Sequence, residues 1–108
     1  MTNITIFKSN GKYIGFECIG HAGFADAGED IVCAAISVLT INTINSIEQL
    51  TKDAFSVSSD EDTGTIKMHF ESEASYEAAI LMCSLELGLI SVADQYGEQY
   101  LQVVIQEV

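Results

Sequence analysis

The chain has 108 residues, 48% of them hydrophobic and 19% charged. That is enough for one packed core, and it excludes a disordered tail or a separate cofactor domain. Four lysines, no arginine and sixteen acidic residues leave a formal charge of −12, which excludes a basic nucleic-acid surface and favours a basic protein partner.

Residues 1–108 read as a single domain without repeat, linker or proline. Thr2–Lys8 alternates Ile4 and Ile6 against Thr5 and Phe7, the period of a strand. Asn10-Gly11 signals a hairpin, and Lys12–Ile19 continues as a second strand with Ile14, Phe16 and Cys18 on one face. Residues 20–30, GHAGFADAGED, carry three glycines and no hydrophobic period, so a long loop is expected. From Ile31 to Thr51 a helical stripe runs through Val32, Ile36, Leu39, Thr43, Ile47 and Leu50. Val38 and Ile41 lie opposite, so this helix is expected to be covered by the sheet on one side and a second subunit on the other. Ala54–Ser59 reads as a short strand, Asp60–Gly64 as an acidic turn, and Thr65–Phe70 as a strand with Ile66, Met68 and Phe70 inward. A second helix opens at Ser72 or Glu73 and ends near Tyr96, with Gly97 as its C-cap. Only Glu77, Ser84, Gly88, Ser91 and Gln95 form a polar stripe on it, which predicts that most of it is buried. Glu98–Val108 closes the chain as a strand with Leu101, Val103 and Ile105 on one face. The order ββαββαβ predicts an α+β two-layer sandwich, two helices packed on a mainly antiparallel sheet. The surplus of apolar helix surface predicts a homodimer.

The longest unbroken apolar runs, Ile31–Ile36 and Ala78–Cys83, are short against the ~20 residues of a membrane span. The opening MTNITIFKSNGK lacks a signal-peptide pattern, and three cysteines without a CxxC pair fit a reduced, cytoplasmic setting.

Chemistry concentrates in Gly20–Ser37. With Asp30 as N-cap, Cys33 falls in the first turn of the helix, where the positive helix end favours a thiolate. The dipole is worth only roughly 0.3–1 kcal/mol, so ionisation at neutral pH also needs a cation. His21, which the loop's glycines allow to fold back, is the one cation within reach. The plain alternative is that Cys33 is a small core residue. Cys18 and Cys83 read as core packing, His69 as a solvated histidine beside Thr65 and Lys67, and Asp60-Glu61-Asp62 as a solvated turn. A zinc site from His21, Cys33, Asp26 and Asp30 lacks a second sulfur or imidazole and is set aside; no cofactor or metal is expected.

The run GHAGFADAGEDIVCAAIS, followed by LTINTINSIEQL, resembles the ribosomal-processing cysteine protease family Prp. The family pattern is Gly-His, a glycine-containing loop, Asp-Ile-Val-Cys-Ala, then Ser four residues after the Cys. Gly20, His21, Asp30, Ile31, Val32, Cys33, Ala34 and Ser37 match it. The resemblance implies a cytoplasmic bacterial endopeptidase that removes a short N-terminal extension from the precursor of large-subunit ribosomal protein L twenty-seven. It further implies Cys33 as nucleophile and His21 as base and then acid, Asp30 as helix cap and loop organiser, and Ser37 lining the substrate cleft. Backbone N–H groups at the helix start become candidates for holding the oxyanion. Phe24 is the loop's one large apolar anchor, too little to offset the entropy of ordering, so substrate is expected to complete the site. The alternative is a non-enzymatic dimeric module that docks a basic ribosomal protein.

Overall fold

A computed structural model describes residues 1–26 and 30–108; Ala27, Gly28 and Glu29 of the expected loop lie outside the described residues. The elements are β1 (Thr2–Ser9), β2 (Lys12–Ile19), α1 (Ile31–Leu50), β3 (Phe55–Asp60), β4 (Thr65–Phe70), α2 (Tyr76–Tyr96) and β5 (Leu101–Glu107). The predicted order and class hold. The sheet runs β3-β4-β2-β1-β5, antiparallel except for the β1–β5 pair.

Both helices are crossovers between strands that run the same way, α1 from β2 to β3 and α2 from β4 to β5. The second crossover starts from an oppositely directed strand and moves toward the opposite edge. Right-handed connection therefore lays both helices on one face. There Ile4, Ile6, Phe16, Cys18, Met68, Phe70 and Leu101 of the sheet meet Val32, Ile36 and Ile47 of α1 and Ala78, Met82, Leu85 and Leu89 of α2. Gly88 lets the helices meet closely: a Cβ there would lie 3.0 Å from Leu39 Cδ2.

Several details depart from the sequence reading. In the β1–β2 hairpin the register passes from Phe7↔Gly15 to Lys8↔Tyr13, which makes Ile14 an extra, bulged residue. Tyr13 thereby reaches the helix layer, where its hydroxyl donates to Glu86 Oε1 at 2.9 Å. In α1, Leu50 is exposed and Thr40 fully buried. Thr40 tolerates burial because its hydroxyl donates to the Ile36 carbonyl at 2.9 Å. Helix α2 begins at Tyr76 rather than Ser72 or Glu73. The Asp53 carboxylate accepts from both the Ser75 N–H and hydroxyl, and Ser75 Oγ in turn accepts from Ala78 N–H at 3.1 Å, fixing Ser75 as the cap. The expectation that α2 is mostly buried fails in the single chain: Tyr76, Ile80 and Leu87 are 78%, 51% and 66% exposed. Cys83, read as core, is exposed as well. Strand β5 starts at Leu101, not Glu98, because Tyr100 N–H and Leu101 N–H fold back onto the Gly97 carbonyl. Both helices are apolar enough by length and composition to cross a membrane, with windows of mean hydropathy 1.5. Unbroken runs alone did not reveal this, yet each helix lays one face on the sheet.

Candidate active site

Strand β2 ends at Ile19, and Gly20 turns the chain with φ +96°; a Cβ at Gly20 would lie 2.6 Å from the Met1 carbonyl oxygen. The next residue, His21, is exposed, and Ala22 behind it is buried in the core. Phe24 meets Tyr100 edge to face at 5.0 Å between centroids and Tyr96 at 5.6 Å. These rings come from the far end of the chain and give the described part of the loop more anchorage than its composition suggests.

Asp30 connects this segment to α1. Its Oδ1 accepts from Cys33 N–H at 2.9 Å and its Oδ2 from Phe24 N–H at 2.9 Å. Desolvation acts to raise the Asp30 pKa. The backbone N–H groups of Cys33, Phe24, Ala25 and Val32 outweigh it and hold the carboxyl below the usual carboxylate value. One side chain thus caps the helix and ties the loop to it.

Cys33 is half-buried in the first turn beyond this cap, and Ser37 follows one turn later. Both line a cleft of about 310 Å³ with Gly20, His21 and Cys18 at the end of β2, and with Ile36, Thr40 and Ile41 along α1. The opposite wall is the β3–β4 turn, through Ser59, Asp60, Glu61, Gly64, Thr65 and Ile66. His21, Cys33, Gly20 and Ser37 are therefore brought to one cavity, while Asp30 organises it from the cap position.

Three features were not read from the sequence. The turn wall arrives through the β2–β4 pairing, Cys18↔Ile66, which no local pattern encodes. Cys18 is core as expected, but it also lines the cleft. Burial, with a contribution from the neighbouring Cys33 thiol, pushes its pKa up to about 11, so it stays a neutral thiol. The helix-start amides are engaged: Cys33 N–H donates to the Asp30 carboxylate and Ala34 N–H to the Asp30 carbonyl at 3.0 Å. Among the described residues no group of three His, Cys, Asp or Glu side chains gathers to hold a metal ion.

A half-buried cysteine at a helix N-terminus and an exposed histidine thus line one cleft of about 310 Å³. The family model described as cysteine protease Prp matches residues 1–101. The chain belongs to the Prp family of cysteine proteases. The ribosomal processing cysteine protease Prp of Bacillus subtilis strain 168 is 30% identical over 103 residues, covering 91% of this chain and 92% of that protein. Its Staphylococcus aureus Mu50 counterpart is 26% identical over 96 residues, covering 89% and 90%. The fold superposes with a TM-score of 0.93 on the crystal structure of the essential ribosomal processing protease Prp from S. aureus with a covalently linked product peptide. That match is 22% identical and covers 98% of this chain and all (100%) of that one. A Streptococcus mutans crystal structure matches at 0.86, with 26% identity and coverage of 100% and 99%. Membership in Prp thus extends the resemblance first seen in Gly20–Ser37 across most of the chain.

Proposed function

We propose that this chain is a cysteine endopeptidase that removes the N-terminal extension of the ribosomal protein L twenty-seven precursor in the cytoplasm. Residues 1–108 act as its single protease domain, paired in a homodimer through the exposed apolar faces of α1 and α2. The observation that carries the reading is the shared cleft of His21 and Cys33, with Cys33 held at a capped helix start. The names of the B. subtilis and S. aureus relatives support ribosomal processing, and a charge of −12 suits a basic substrate.

In this reading Cys33 Sγ, as thiolate, attacks the scissile carbonyl carbon. Collapse of the tetrahedral adduct breaks the C–N bond while His21 protonates the leaving amine, leaving a thioester on Cys33. His21 then takes a proton from water, whose attack releases the extension as a carboxylic acid and restores the thiol. Cys33 and Ala34 N–H groups already serve Asp30, so oxyanion donors come from elsewhere around the cleft. Ser37, one turn along, lines the substrate cleft beside Cys33.

Incubating the protein with the precursor, followed by mass spectrometry of the products, tests the proposal. Cys33→Ala should abolish cleavage, and His21→Ala should lower it by at least the ~10²–10⁴-fold expected of a lost general base. Cys83→Ala should cleave normally. Cleavage by Cys33→Ala would refute the mechanism.

A further inference from the structure

We infer that Gly64, in the β3–β4 turn, is a positioning residue for His21; the inference rests on the proposed role of His21 and deepens it. Strands β2 and β4 pair antiparallel with Glu17↔Lys67 and Cys18↔Ile66. Continued beyond the ladder, that register sets Gly20 opposite Gly64. Both have left-handed φ, +96° and +65°, so just past the last β2–β4 pair two glycine backbones approach more closely than side chains would permit. A Cβ on Gly64 would lie 2.6 Å from the Gly20 carbonyl oxygen, 3.0 Å from the Gly20 carbonyl carbon and 2.9 Å from His21 Cε1.

Cε1 lies between the two ring nitrogens, so the surface against it sets where both nitrogens point. The bare backbone of Gly64 is that surface. Its amide is anchored in the turn, donating to the Glu61 carbonyl at 3.3 Å. A methyl group there meets backbone on one side and imidazole on the other. Rotation of His21 away from its place in the cleft relieves the second contact, while the first pushes apart the Gly64 and Gly20 backbones, and Gly20 carries His21 with it. Gly64 therefore fixes the imidazole without touching substrate.

The test compares Gly64→Ala with Gly11→Ala. Gly11 has φ +77° and nothing within 4 Å of its would-be Cβ, so it carries the left-handed backbone penalty without the contact. Gly64→Asn adds a residue that tolerates positive φ but still bears a Cβ. Both Gly64 variants should lose kcat on the L twenty-seven precursor by roughly 10–100-fold, the scale of an ångström-sized misplacement, with KM little changed. Their rate of Cys33 alkylation by iodoacetamide should also rise at higher pH than in the unmodified protein. Gly11→Ala should keep both properties. Gly64 variants that match Gly11→Ala in kcat and in the alkylation profile overturn the inference. In the unmodified protein, a nuclear Overhauser contact from His21 Hε1 to the Gly64 α-protons is expected, and its absence overturns the inference even if the variants do not fold. His21→Ala separates the two levels. If it is inactive while Gly64→Ala is fully active, only the positioning role falls; if it retains full turnover, the role of His21 falls and this inference with it.

Discussion

Replacing Asp30 should expose how one carboxylate couples helix and loop. Its Oδ1 caps α1 at Cys33 N–H, and its Oδ2 holds Phe24 N–H. Losing an N-cap to alanine costs about 1 kcal/mol, and losing a hydrogen bond on a partly exposed group about another 1 kcal/mol. Asp30→Ala should therefore destabilise the fold by about 2 kcal/mol, a fall in Tm of roughly 10 °C for a domain of this size. Asp30→Asn keeps an oxygen for the cap, but its amide nitrogen cannot accept from Phe24. About half the loss is expected. Cleavage should fall further than stability does, by ~10²-fold in Asp30→Ala, since the loop that carries His21 loses its tie to the helix that carries Cys33. The pH dependence has a definite sign. The native carboxyl is held below its usual value, so its contribution is complete above the unfolded-state value near ~3.9 and fades as pH falls through the native one. Thermal melts at pH 7 and pH 3, with precursor cleavage at pH 7, make the assay. An Asp30→Ala protein with unaltered Tm and turnover would refute the coupling, as would a Tm deficit undiminished at pH 3.

Other expectations follow from the same structure. Above pH 9 the protein should lose stability as the buried Cys18, with its pKa raised to about 11, is ionised in the unfolded chain first; urea melts of Cys18→Ala should lack that slope between pH 9 and 11. Sedimentation equilibrium should give a dimer at micromolar concentration, weakened by Leu87→Glu on the exposed face of α2; a monomer throughout would assign that face elsewhere. Substrate affinity should weaken with added salt, because exposed charges are screened beyond about 8 Å at physiological ionic strength, and a flat response to half-molar salt would limit the acidic surface to solubility. In hydrogen exchange, the Phe24 amide should be slower than the exposed Gly23 amide in the free protein, and both should slow further with an uncleavable substrate analogue.

Part of the candidate cleft was legible because it is local: Gly20, His21, Cys33 and Ser37, which line it, and Asp30, which caps α1, lie in one short run, and the cap, helix start and turn follow from neighbouring residues. The strands were legible for the same reason, since alternation such as Ile66, Met68 and Phe70 needs no partner to be seen. Pairing carried what was hidden. Nothing near Gly64 announces that it will face Gly20, and nothing near Phe24 announces Tyr96 and Tyr100. Helix α2 starts later than its apolar pattern suggests because Asp53, distant in sequence, selects Ser75 as the cap. Cys83 reads as core because its neighbours on α2 are apolar on nearly every side, and that composition does not tell which side the sheet covers.

The most direct test is to catch the thioester. The protein is mixed with the L twenty-seven precursor, quenched in acid within the first turnover, digested, and mapped by mass spectrometry. The extension should be found attached through its new C-terminus to Cys33, in a form that hydroxylamine removes. Cleavage with the adduct on Cys83, or with no adduct on Cys33 at any quench time while products form in an initial burst, would contradict Cys33 as the nucleophile.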